Sequence, residues 1–250
     1  MDKLYTFAAM KQHCHFSVNR NLLIIISGIL FLSCSCSLNR SIISGRIENY
    51  DKTYFVLKKI LPEEVVLVDT VLILNGSFSY RIKSKQTGIY LLEFSDTLFV
   101  SFIAAPGDNL ILSADANNIR QTYDIQGNEE TKLLLENQRR LESLYQQTKF
   151  LSDKFIRSTY KNNFDSVKIV LDSIYVVNFN AHKDYLTDFI LSHPNKLASL
   201  MAFYQLLGNN AFFSLKEDRV LLDSIYPVLS ATYPDNVYID DLKEKLMKYE

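Results

Sequence analysis

The feature that most constrains this chain is a change of hydrophobic period at Gly127. Before it, apolar and polar residues alternate; after it, apolar residues recur at three- and seven-residue steps. Successive side chains of a strand point to opposite faces, whereas in a helix positions three, four and seven apart share one. The chain therefore reads as α+β, with an N-terminal antiparallel β-sandwich over 41–127 and a C-terminal all-helical region over 128–250. Gly76-Ser77-Phe78-Ser79-Tyr80-Arg81-Ile82-Lys83 is the clearest strand: Phe78, Tyr80 and Ile82 share one face, while Ser79, Arg81 and Lys83 share the other. That is the pattern of a half-buried antiparallel strand.

The run 65–74 is β-branched and apolar, and Asn75-Gly76 is a tight-turn dipeptide, so 65–83 is expected to be a hairpin. Further strands are expected at 42–47, 54–60, 89–94, 98–103, 110–114 and 122–125. Pro62-Glu63, Thr87-Gly88, Asp96, Pro106-Gly107-Asp108 and Gly127 supply the turns between them. Short strands at this spacing, with no helical period between them, favour a sandwich over an α/β fold.

Asn128 is the expected N-cap of the first helix, with Glu129 and Glu130 at the positive end of its dipole. Its stripe of Leu134, Leu141, Leu144, Leu151 and Phe155 is suited to packing on the β-domain or pairing with another helix. A second helix is expected over 164–190, ending before His193-Pro194. A third covers 196–207 with Gly208 as its left-handed cap. Two more follow at 217–230, bent at Pro227, and at 237–249.

The first 40 residues follow different rules. Lys3, Lys11 and Arg20 precede the apolar run 22–32, the order of a secretory signal. Eleven helical residues reach only ~16 Å, about half of a ~30 Å hydrocarbon core, which disfavours a lasting transmembrane helix. Phe31-Leu32-Ser33-Cys34 then resembles a bacterial lipoprotein lipobox. The resemblance implies a signal peptide over 1–33, lipidation of Cys34, and a lipidated tether over 34–40. Cys36 fits less well, because Ser33 would occupy the apolar third position before it. Several acyl chains at ~0.8 kcal/mol per buried methylene anchor a protein stably.

Composition narrows the chemistry. All three cysteines lie within the first 36 residues, so the body has no thiol for a disulfide framework, a Cys-based zinc site or a nucleophile. Cys14 sits between His13 and His15, inside the segment expected to be removed. The 27 basic and 28 acidic residues give no charge excess that would draw nucleic acid. His182 and His193 have no partner at metal-ligand spacing, and phosphate-binding glycine loops and nucleophile elbows are missing from the sequence. No cofactor or metal is expected. Asp69 and Asp108 are the two candidate ligand contacts, each with a structural reading beside it. Asp69 adjoins Thr70 in a position to bond nearby backbone, and Asp108 follows the Pro106-Gly107 turn.

The ordered set Ile43-Ser44-Gly45-Arg46-Ile47, Val68-Asp69-Thr70, Gly76-Ser77-Phe78-Ser79-Tyr80, Ile89-Tyr90-Leu91-Leu92-Glu93-Phe94, Ala105-Pro106-Gly107-Asp108-Asn109-Leu110 and Tyr123-Asp124-Ile125-Gln126-Gly127 carries a second resemblance. It resembles the uncharacterised β-domain near the N-terminus of many Gram-negative envelope lipoproteins. There the domain commonly precedes a helical spacer and a thioredoxin-like domain of the thiol–disulfide oxidoreductase type. This chain has no Trp and no Cys-x-x-Cys, so the redox chemistry is carried over to none of its residues.

The expectation is a non-catalytic binding or assembly module, an envelope lipoprotein held at the outer membrane and facing the periplasm. The resemblance to lipoproteins implies that orientation, because Ser-Cys-Ser-Leu-Asn-Arg after Cys34 lacks the acidic cluster that resembles a surface-export signal in some of them. The expected partners are the membrane, through the lipid anchor, and an envelope protein or small-molecule ligand, with no nucleic acid. The alternative is the accessory half of an oxidoreductase whose thioredoxin-like domain is missing or separately encoded. An unrelated hydrolase would need a deep polar pocket with converging carboxylates.

Overall fold

The computed structural model describes residues 40–160 and 163–248. The expected signal peptide, the lipidation site Cys34 and all of the tether but Arg40 lie outside the described residues.

Eight strands form two four-stranded sheets. They are β1 (Arg40–Glu48), β2 (Tyr54–Ile60), β3 (Val65–Leu72), β4 (Ser77–Lys83), β5 (Gly88–Ser95), β6 (Leu98–Ala104), β7 (Asn109–Asp115) and β8 (Asp124–Gln126). The first sheet has the order β4-β1-β7-β8 and the second β3-β2-β5-β6. Asn75 and Gly76 both take positive φ, 53° and 75°, as a tight Asn-Gly turn requires. The strands they connect leave for different sheets: β4 pairs with β1, and β3 pairs with β2. Leu74 and Ser77 close the turn with reciprocal backbone bonds of 2.9 and 3.0 Å, but the pairing goes no further, so residues 65–83 are a corner of the sandwich rather than an extended hairpin.

Two further details differ from the sequence reading. The first sheet is mixed, because β1 and β7 run parallel, with Ile43 opposite Leu110 and Gly45 opposite Leu112. A Cβ on Gly45 would lie 2.0 Å from the Leu112 carbonyl oxygen, so this close approach requires glycine. Between β7 and β8, Ala116–Asn118 forms a 3-10 turn and Ile119–Thr122 a single helical turn, α1. That turn displaces the start of β8 from the expected 122 to Asp124. Ile119 anchors it in the sandwich core, a contact that one apolar residue in a polar segment does not announce.

The sandwich core lies between the sheets. Ile43, Ile47, Phe78, Ile82, Leu110 and Leu112 meet Phe55, Leu57, Tyr90, Leu92, Val100 and Phe102 across it. Tyr90 and Phe102 stack at 5.5 Å, and Phe55 meets Phe78 edge-on at 4.8 Å. The second sheet is covered on its other face too, where Ile89 and Ile103 join a second core made by the helices. The molecule is thus layered as sheet, sheet, helices, with β5 and β6 as the shared wall.

Helix α2 (Glu129–Ser158) starts as expected: the Asn128 side chain accepts the Thr131 N–H at 2.7 Å. It packs both ways. Leu135 enters the sandwich core, while Leu133, Leu134 and Leu144 enter the helical one. Helix α3 (Phe164–Ser192) pairs with it and stops before Pro194. Helix α4 (Leu197–Phe203) is shorter than expected. Leu206–Leu207 (β9) and Asn210–Ala211 (β10) pair as a two-residue ladder, and Gly208, at φ 61°, turns that hairpin instead of capping a helix. Both uses draw on the same left-handed backbone, which is why the sequence suggests one where the molecule adopts the other. Helices α5 (Arg219–Thr232), with Pro227 inside it, and α6 (Val237–Lys248) complete the layer.

Polar contacts lock the layers together. The buried Glu130 carboxylate accepts the N–H groups of Leu197 at 3.0 Å and Ala198 at 2.9 Å, and it also accepts the Tyr233 hydroxyl. The Tyr238 hydroxyl accepts the Ile89 N–H at 3.0 Å and donates to the Ile60 carbonyl. Among the described residues, no helix is long and apolar enough to cross a membrane.

Candidate functional site

A concavity opens where α2 leaves the edge of β6. That strand is the outer one of its sheet. At its far end the edge is closed: the Ile103 N–H donates to Thr131 Oγ1 at 3.1 Å. The Ile103 carbonyl accepts from the same hydroxyl at 2.7 Å and from the Asn128 amide at 2.9 Å. Backbone groups alternate between the two sides of a strand, so Ser101 and Phe99 aim their N–H and C=O outward as Ile103 does. Nothing among the described residues bonds those outward groups.

They face a cleft of about 280 Å³. Thr97, Phe99 and Ser101 form one side, with Arg120 of α1 and Tyr123 beside them. Gln138, Arg139, Leu141, Glu142 and Tyr145 of α2 form the opposite wall, and the Leu206-Leu207-Gly208 turn closes one end. Phe99, Tyr145 and Leu206 remain 54%, 44% and 49% exposed, which gives the cleft apolar walls that the fold itself does not bury.

Its polar groups are tied to one another. The Tyr123 hydroxyl donates to Gln138 Oε1 at 2.7 Å, and Gln138 Nε2 donates to Ser101 Oγ at 3.0 Å. Burial pushes the Tyr123 phenol up to about 12, so it stays a neutral donor. Arg139 pairs with Asp124 at 3.0 Å and reaches the Tyr123 carbonyl at 3.3 Å. Arg120 donates to the Thr97 carbonyl at 2.6 Å. Each of these contacts uses one nitrogen of a five-donor guanidinium, so donors remain for an anionic group. Among the described residues, the bonded partner of the Ser101 hydroxyl is the Gln138 amide. The arrangement suits holding a ligand with an apolar body and a negative end.

The residues singled out in the sequence lie elsewhere. Asp69 accepts the Thr70 N–H at 2.8 Å and the Tyr80 hydroxyl at 2.9 Å, tying β3 to β4. Asp108 accepts the Ala105 N–H at 2.8 Å and an N–H of the Asn128 amide. It braces the N-cap of α2. Neither residue lines the cleft. His182 bonds Gln205 Oε1 through Nε2 at 2.7 Å and packs 4.7 Å from the Phe212 ring. Burial holds its pKa below the ordinary histidine value. His193 Nδ1 lies 2.9 Å from the Phe189 carbonyl oxygen. Among the described residues, no three His, Cys, Asp or Glu side chains converge as a metal site would require.

The cleft was not foreseen from the sequence, because its lining comes from four separated segments whose proximity is tertiary. Arg120 beside a short polar run was the one local hint, and it is weak.

Residues 41–134 match a family model described as a domain of unknown function (DUF4369). The match spans both sheets and ends in α2, so it includes the Asn128–Thr131 contact that closes the β6 edge. No curated protein matches the chain.

Proposed function

We propose that this chain is an envelope lipoprotein, anchored through a lipidated Cys34, that works as a non-catalytic binding module. The observation that carries the binding role is the cleft beside β6. It combines solvent-facing apolar walls with two guanidiniums and a Ser101 hydroxyl bonded to the Gln138 amide. The apolar run 22–32 and Phe31-Leu32-Ser33-Cys34 support the anchor. A seven-residue tether from Cys34 to Arg40 would hold the sandwich close to the periplasmic face of the outer membrane. The test is intact mass and membrane partitioning of the full chain, wild type beside Cys34→Ala. A membrane-bound, acylated chain beginning at Cys34, lost in the variant, is the expected outcome. A chain that keeps its N-terminus and carries no lipid would overturn the anchor.

The second reading, the accessory half of a thiol–disulfide oxidoreductase, draws on a different observation. The outer part of the α2–α3 hairpin keeps Ile156, Ile169, Val170 and Val177 more than half exposed. A further domain or separate partner would cover such a face.

A further inference from the structure

We infer that the cleft takes a short extended peptide as an added antiparallel strand on β6, with the peptide's terminal carboxylate held by Arg120 and Arg139. This rests on the reading of the cleft as the binding site and specifies its occupant. The first argument is the edge. Outward N–H and C=O groups at Phe99 and Ser101 have no partner among the described residues, and unpaired strand edges recruit extended chain. The second is length. Thr131 closes the edge at Ile103, so about two rises of ~3.3 Å, from Ser101 to Phe99, are open to a ligand. That length and a cleft of about 280 Å³ suit two or three residues.

The third argument fixes the direction. An antiparallel addition runs opposite to β6, so the ligand's carboxyl end arrives at the Thr97 end of the strand. Arg120 stands there, bonded to the Thr97 carbonyl, and Arg139 lines the same cleft. A guanidinium matches a carboxylate with paired N–H donors. Glu142 lies in the same lining and Asp124 pairs with Arg139, so the match rests on the guanidinium donors these contacts leave free rather than on an excess of charge. Side chains of an added strand alternate, so one would pack toward Phe99, Tyr145 and Leu206.

The experiment uses the full chain and a mixture of N-acetylated tripeptides with aliphatic and aromatic side chains. The mixture is compared with its C-terminal amides and with a backbone N-methylated version that cannot pair as a strand. Amide resonances and hydrogen exchange report the site. The expected result is exchange slowed at least tenfold at Phe99 and Ser101 by the acid mixture. Arg120→Gln should lose tenfold or more in affinity for the acids with little change for the amides, and N-methylation should abolish the protection. Ser101→Pro, tolerated on an open edge, should remove binding while the fold persists. Should that variant fail to fold, the N-methylated probe still decides. Shifts at Arg120 and Tyr145 without protection at Phe99 and Ser101 would mean that the cleft takes carboxylates without strand addition. That would overturn this inference and leave the binding role standing. No response in the cleft to any of the three mixtures would overturn both.

Discussion

The two apolar cores share one sheet as a wall, yet they are assembled from very different stretches of chain. The sandwich core draws on residues from Ile43 to Ile125, plus Leu135. The helical core begins with Ile89 and Ile103 on the wall and ends at Leu246. Strands of the sandwich find partners within one contiguous segment. The helices pack on one another and on two buried residues of the sheet, Ile89 and Ile103. The difference teaches that β5 and β6 belong to both cores, so damage to the wall and damage to the helices should spread differently.

Truncation on the wall tests this most severely. Phe102, fully buried between the sheets, is expected to cost about 3–5 kcal/mol as Phe102→Ala, and Leu186→Ala in the helical core about 2–5 kcal/mol. Hydrogen exchange separates their reach. Phe102→Ala should release amides of β1 and of α3 alike, whereas Leu186→Ala should release α3 while β1 stays protected. Equal release in both variants would break the comparison and make the molecule one cooperative unit.

A smaller effect sharpens it at the seam. Tyr238→Phe removes both the acceptor for the Ile89 N–H and the donor to the Ile60 carbonyl. Denaturant unfolding should show a loss of about 1–3 kcal/mol. The same hydroxyl carries a pH signature. Burial pushes the Tyr238 phenol up to about 12, against an ordinary value of 10.0. Between those values the unfolded chain has lost a proton that the folded one keeps, so stability is whole below pH 10 and falls as pH rises towards 12. The slope should be shallower in Tyr238→Phe, with Tyr123, Tyr233 and the other phenols that burial pushes up supplying the remainder.

The smallest effect lies within the helical layer. His182 has its pKa held below 6.5 by burial, so the unfolded chain takes up a proton first on acidification. Stability should therefore fall as pH drops below 6.5, and His182→Gln should flatten that limb of a thermal melt series. An unchanged limb would place the acid-sensitive group elsewhere.

Much of the fold was legible because local pattern and tertiary role coincide. Phe78, Tyr80 and Ile82 alternate with polar residues, and Asn128 caps the helix it precedes. Partner choice was not legible: nothing in β1 distinguishes a parallel neighbour from an antiparallel one, and the tight turn at Asn75-Gly76 gives no sign that β3 and β4 part. Gly208 announced a left-handed residue, but the same geometry ends helices and turns hairpins. The cleft was the least legible of all. Ser101 reads as an ordinary polar position in a strand, and only the departure of α2 beyond Ile103 leaves its outward backbone groups without a partner beside the cleft.

The Tyr238 contacts also set a clock. Ile89 and Tyr238 are 149 residues apart, and Ile60 and Tyr238 are 178 apart. At synthesis rates of about 5–20 residues per second, Tyr238 follows Ile89 out of the ribosome by roughly 7–30 s. For the later part of that interval, roughly 6–22 s after Gln126 ends β8, the sandwich has all its strands, while Ile89 and Ile103 await the cover that the last helices supply. A nascent chain of this kind presents a sticky sheet face to its surroundings for seconds. Its handling by holding chaperones therefore concerns one surface, the wall that the helices later hide.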